Sequence, residues 1–103
     1  MSEFILAYHG GTMPESPEEG AKIMEKWNGW IEKSGSSMVN PGSPVGMSKT
    51  VSPSGVTNDG GSNPLSGYSI VKADDIDGAI AVAKTCPHLE YGGTIEVAEL
   101  LQM

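Results

Sequence analysis

His9 and Asp59 are the two residues best suited, by type and place, to move a proton. Histidine is the side chain whose ordinary titration lies nearest neutral pH. His9 closes the apolar run Phe4-Ile5-Leu6-Ala7-Tyr8, so its ring stands where a strand ends. Asp59 precedes Gly60-Gly61 in a glycine-rich turn that leads into a second apolar strand. Within hydrogen-bond reach of each other, the two would form an orienting pair for general acid–base work. Each also has a plainer reading. An aspartate before glycine commonly closes an Asx-turn on its own backbone, and a partly buried histidine is commonly a satisfied structural group. Tyr8, Tyr68, Ser69, Glu96 and His88 are the further candidates for lining a ligand cleft.

Cys86-Pro87-His88 offers two metal-ligand types close together, but zinc needs three or four ligands in a recognisable framework. No metal site and no other cofactor is therefore expected. Asp74, Asp75 and Asp77 lack the ligand spacing of a calcium loop and suit a helix start instead. No cation stands near Cys86 in sequence to activate it as a nucleophile, so a small buried side chain is expected there.

The charge balance excludes whole classes of partner. Thirteen acidic residues face six basic ones, all lysine, for a net charge of −7. Nucleic-acid binding needs a cationic footprint, which this composition does not supply. An anionic membrane surface is disfavoured for the same reason, and no run approaches the roughly 20 apolar residues of a span. The start, MSEFILAYHGG, is too short in its apolar part and too acidic for a secretory signal, so a cytoplasmic location is the expectation. A single cysteine leaves no internal disulfide.

At 103 residues the chain is expected to make a single domain, 1–103. Glu3 to His9 reads as a central strand, apolar on both faces. Ser16-Pro17-Glu18-Glu19 reads as a helix start, with Ser16 at the N-cap, Pro17 in the first turn and Glu19 completing a capping box. That helix should reach Lys33 or Ser34 and stop at Gly35, burying Ile23, Met24, Trp27, Trp30 and Ile31. Between Ser36 and Thr57 proline and glycine argue for edge strands and loop: Ser37 to Val39, then a weaker strand from Val45 to Val51, then a turn at 52–55. Gly67 to Ala73 is a second central strand. Asp74 or Asp75 caps a helix with the stripe Ile76, Ala79, Ile80 and Ala83, ending before Cys86-Pro87. Thr94 to Leu100 closes the chain as a strand.

The order β-α-β-β-α-β predicts an α+β, ferredoxin-like domain: a four-stranded antiparallel sheet with two helices on one face. The other face carries large apolar side chains whichever way β-strand alternation is set. A monomer rarely leaves such a patch to water, so a homodimer packed across that face is expected.

The chain resembles the YCII-related, or DGPF-domain, family of small bacterial proteins. The resemblance spans nearly the whole chain: the strand ending near Tyr8, the Ser-Pro-Glu-Glu helix start, Val-Thr-x-Asp-Gly at 56–60, Leu65-Ser66-Gly67-Tyr68 leading into Asp74-Asp75, Cys86-Pro87, and Gly92-Gly93-Thr94-Ile95-Glu96-Val97. It implies a dimeric α/β barrel, with the Asp-Gly of the family falling on Asp59-Gly60. The Pro-Phe that follows in the family is Gly61-Ser62 here. An enzyme using His9 and Asp59 and a non-catalytic metabolite-binding or protein-interaction module both fit this architecture, since fold does not dictate function.

Overall fold

The computed structural model describes residues 1–102 and is α+β, compatible with a ferredoxin-like fold. Four strands make the main sheet: β1 (Ser2–Gly10), β2 (Met38–Pro44), β5 (Leu65–Ala73) and β6 (Gly93–Glu99). Their order is β2-β5-β1-β6, antiparallel at every step. Two helices connect them, α1 (Pro17–Ser34) and α2 (Ile76–Ala83). The remaining strands, β3 (Thr50–Ser52) and β4 (Gly55–Thr57), pair with each other in a separate two-stranded ribbon.

Local chemistry sets the ends of these elements. Ser16 accepts a hydrogen bond from the Glu19 amide at 3.1 Å, and Pro17 fills the first turn, where its missing N–H costs nothing. The Glu19 carboxylate reaches back to the amide of Glu15, at 3.3 Å, one residue before the expected partner. Gly35, at φ 56, ends the helix and donates to the carbonyls of Glu32 and Ile31. Asp75 caps α2 by accepting from the Gly78 amide at 2.9 Å.

Strand alternation then sorts the side chains. Phe4, Leu6 and Tyr8 of β1 and Val71 of β5 are buried beneath the helices, joined by Trp30 of α1 and by Ala79 and Ala83 of α2. A fully buried Leu6 contributes about 1.5–3 kcal/mol by removal from water alone. The two alanines let α2 lie close on the sheet, and Ile76, first in that helix, stays 45% exposed. The expected α1 stripe is narrower than predicted. Trp27 and Trp30 pack edge to face at 5.6 Å, while Met24 points away, 59% exposed.

The Ser36–Thr57 region departs most from the sequence reading. Met38–Pro44 is one long edge strand, kept irregular by bulges between Met38 and Asn40 and between Asn40 and Ser43. Gly42 is required there: its φ is +72, and a Cβ would run into the Tyr68 carbonyl. Residues 45–49 form no strand, and the β3–β4 ribbon stands clear of the main sheet.

Candidate functional site

The face of the sheet away from the helices carries the exposed chemistry. Ile5, Ala7 and His9 of β1 alternate with the buried set, and the register puts Ile70 beside Ile5 and Tyr68 beside Ala7. On the other side of β1, Ala98 pairs with Ile5, Glu96 with Ala7 and Thr94 with His9. This face is thus an apolar patch, Ile5, Ala7, Tyr68, Ile70 and Ala98, with His9 and Glu96 at one end.

His9 and Glu96 are diagonal neighbours across β1 and β6, and the His9 Nε2 lies 3.2 Å from Glu96 Oε1. The opposite ring nitrogen, Nδ1, lies 3.0 Å from the Asn63 carbonyl and 3.3 Å from that of Pro64. A carbonyl only accepts, so Nδ1 carries a proton and donates to it. An ionised Glu96 also only accepts, so both contacts are hydrogen bonds together only when both nitrogens are protonated. The His9 side chain is only 13% exposed, whereas Glu96 is 70% exposed and free to meet a ligand.

Asp59 lies elsewhere in the chain's hydrogen bonding. Its Oδ1 accepts from the Gly61 amide at 3.0 Å, an Asx-turn, and its carbonyl accepts from the Thr50 hydroxyl at 2.7 Å. The partners of His9 are Asn63, Pro64 and Glu96, so the structure brings His9 together with Glu96 and not with Asp59. The reason is local. The turn commits the carboxylate to its own backbone, while strand pairing delivers Glu96 to the imidazole.

Of the other cleft candidates, Tyr68 shares the open face with His9 and Glu96. Tyr8, Ser69 and His88 are buried on the opposite, helix-covered side. There the Tyr8 hydroxyl donates to Ser69 Oγ at 2.6 Å, and Ser69 donates onward to the Pro41 carbonyl at 2.7 Å. His88 Nε2 donates to the His9 carbonyl at 2.9 Å, and its ring packs 5.3 Å from that of Tyr8. It fits only because Gly93 and Gly11 lack a Cβ. Burial pushes the Tyr8 phenol well above its ordinary range, an effect the Ser69 bond only partly offsets. Burial likewise pushes the Cys86 thiol up to about 11, with hydrogen bonds from the His88 backbone and Tyr8 pulling the other way. These groups hold the core and supply no reactive thiolate at neutral pH.

Cys86 also floors a shallow groove with Lys26, Lys84, Thr85, Pro87, Leu89 and Glu90, on the far side of the sheet from His9. Lys26 is already engaged there, 3.5 Å from Glu90 and 5.6 Å above the Tyr91 ring. Among the described residues no three His, Cys, Asp or Glu side chains gather as a metal site would require. No helix among them is long and apolar enough to cross a membrane.

The Asn63 and Pro64 carbonyls were not foreseeable as His9 partners, since backbone oxygens carry no residue signature. Glu96 was. Once β1 and β6 are neighbours, alternation puts Glu96 on the face of His9.

No family model matches this chain, and no curated protein matches it.

Proposed function

We propose that the protein acts on or binds a small molecule at the open sheet face, with His9 and Glu96 as its proton-handling pair. The observation that carries the reading is the His9 ring, nearly buried, fixed at Nδ1 by a backbone carbonyl and facing an exposed carboxylate from Nε2. An imidazole held at Nδ1 by the main chain, with Nε2 left to give or take a proton, is the arrangement that general acid–base catalysis needs. Proton exchange between Nε2 and a ligand placed beside Glu96 is isomerase- or lyase-like chemistry. The apolar side chains of the same face supply contact area for the rest of the ligand.

In this reading the protein is a homodimer of the YCII-related kind, with two sheets facing each other and the site in the cleft between them. The apolar row of Ile5, Ile70 and Ala98 on the face away from the helices, the isoleucines partly exposed and Ala98 exposed, supports that arrangement. A non-catalytic metabolite-binding module is the second reading, favoured by the shallowness of the grooves in the single chain.

The test is a metabolite library screened by thermal shift against the wild type and Glu96→Gln. A ligand that binds the native state raises the melting temperature. The expected result is a stabilising metabolite whose effect falls at least tenfold in concentration dependence with Glu96→Gln. A ligand insensitive to Glu96→Gln and to His9→Gln alike would place the site elsewhere. Turnover of the ligand separates the enzyme from the binding module.

A further inference from the structure

We propose that the β3–β4 ribbon is an arm that lies on the open sheet face of a second copy of this chain, each copy covering the other's site. The inference rests on the facing-sheet reading given above and adds the element that closes the cleft. Val51 and Val56 are directly paired across the ribbon, so both project from one side of it. They are 79% and 62% exposed, and Met47, just before the ribbon, is 99% exposed. Its other side presents Thr50 paired with Thr57.

A two-stranded ribbon with three residues a side is marginal in water and needs a surface to pack on. Among the described residues no helix and no strand of the main sheet packs broadly against it. The molecule measures 43 × 42 × 18 Å, and the short axis holds one helix layer on one sheet layer, which stack about 10 Å apart. The arm therefore extends beside the body and does not roof its own open face. The radius of gyration, 14.8 Å, exceeds the roughly 13 Å of a compact chain this long, in the same sense.

Charge selects a second copy as the occupant. Residues 45–58 carry Lys49 and no acidic residue, whereas the other lysines of this −7 chain face all thirteen acids. The arm thus carries one positive charge and exposed valines on an acidic chain, and the open face offers apolar Ile5 and Ile70 with exposed Glu96 at its end. A twofold pairing satisfies both copies at once, arm on face and face under arm.

Sedimentation velocity of the full chain tests this with two variants, Val51→Asp/Val56→Asp on the arm and Ile70→Asp on the face, far-UV circular dichroism confirming that each stays folded. The arm valines are exposed, so their replacement leaves the core intact. The expected result is a wild-type dimer whose Kd rises at least tenfold in both variants. Chains carrying Val51→Cys, mixed with differently tagged chains carrying Ile70→Cys, should then form a mixed disulfide. A dimer weakened by Ile70→Asp but untouched by the arm variant overturns the arm and leaves the facing-sheet reading standing. A dimer weakened by the arm variant alone shows that the arm docks elsewhere, and overturns the proposal too. A monomeric wild type, or a dimer indifferent to both changes, removes both ideas.

Discussion

The Tyr8 hydroxyl and Ser69 Oγ meet at 2.6 Å across the two central strands, inside an apolar core that includes Phe4, Leu6, Val71 and Trp30. Ser69 is fully buried and passes the chain of bonds on to the Pro41 carbonyl, tying the β2 bulge to the sheet interior. Among the described residues no buried side-chain oxygen or nitrogen is left without a partner. The two deletions are therefore unequal. Tyr8→Phe removes one donor and leaves Ser69 still bonded to Pro41, at a cost of about 1 kcal/mol. Ser69→Ala strands the Tyr8 hydroxyl and the Pro41 carbonyl in apolar surroundings, at about 2–3 kcal/mol. Urea unfolding should show that order, and the double variant should lose less than the sum.

Tyr8 and Cys86 also fix the behaviour at high pH. Both are held neutral by burial, with Cys86 moved from its ordinary 9.0 to about 11. In the unfolded chain the thiol ionises first as pH rises, so the unfolded state gains and native stability falls. The contribution is complete below about pH 9 and is lost progressively toward about pH 11 and beyond. Thermal melts between pH 8 and 11 should show a falling midpoint, and Cys86→Ala should flatten part of that fall. A thiol reagent should label native Cys86 far more slowly at pH 8 than the same chain unfolded in guanidinium.

Much of this architecture is legible in residue types because it is local. The Ser16 cap, the Gly35 terminator and an aspartate cap at Asp74 or Asp75 each follow from chemistry within a few residues. Which face of β1 meets the helices does not, because Phe4, Leu6 and Tyr8 on one side and Ile5 and Ala7 on the other are all apolar. The path of 36–57 is not legible either, because bulges at Asn40 and Gly42 depend on what β5 presents to them. Sequence reasoning likewise paired His9 with Asp59, two conspicuous residue types, where the contact made is with Glu96. That outcome is set by which strands are neighbours, a non-local fact, while the Asp59 carboxylate is captured by Gly61 two residues on.

Gly42 gives the sharpest backbone prediction. Its φ of +72 lies where side chains are disfavoured, and the space a Cβ needs is held by the Tyr68 carbonyl, which cannot swing away without breaking strand pairing. Gly42→Ala should cost of order 3 kcal/mol or more, a large share of the 5–15 kcal/mol typical of a domain. Gly29→Ala is the control. It lies within α1 with no neighbour near its Cβ position, and should stabilise by roughly 0.5–1 kcal/mol through helix propensity.

His9 does two things at once, and substitutions should separate them. Its Nδ1 anchors the 63–64 segment to the sheet, and its Nε2 addresses Glu96. Glu96 is mostly exposed, so its contact with His9 is worth little to the fold, and Glu96→Gln should change stability by less than about 1 kcal/mol. His9→Ala removes the anchor as well, releasing two carbonyls and the loop they belong to. Amide hydrogen exchange should then rise at least tenfold in residues 60–66 with His9→Ala and stay near wild type with Glu96→Gln. Asn supplies a side-chain N–H that can reach the same carbonyl, so His9→Asn should restore much of the loop protection while still lacking the imidazole. A loop equally protected in all three variants would mean that the His9–Asn63 bond does not hold it, and the ring would lose the fixed orientation on which proton transfer at this face depends.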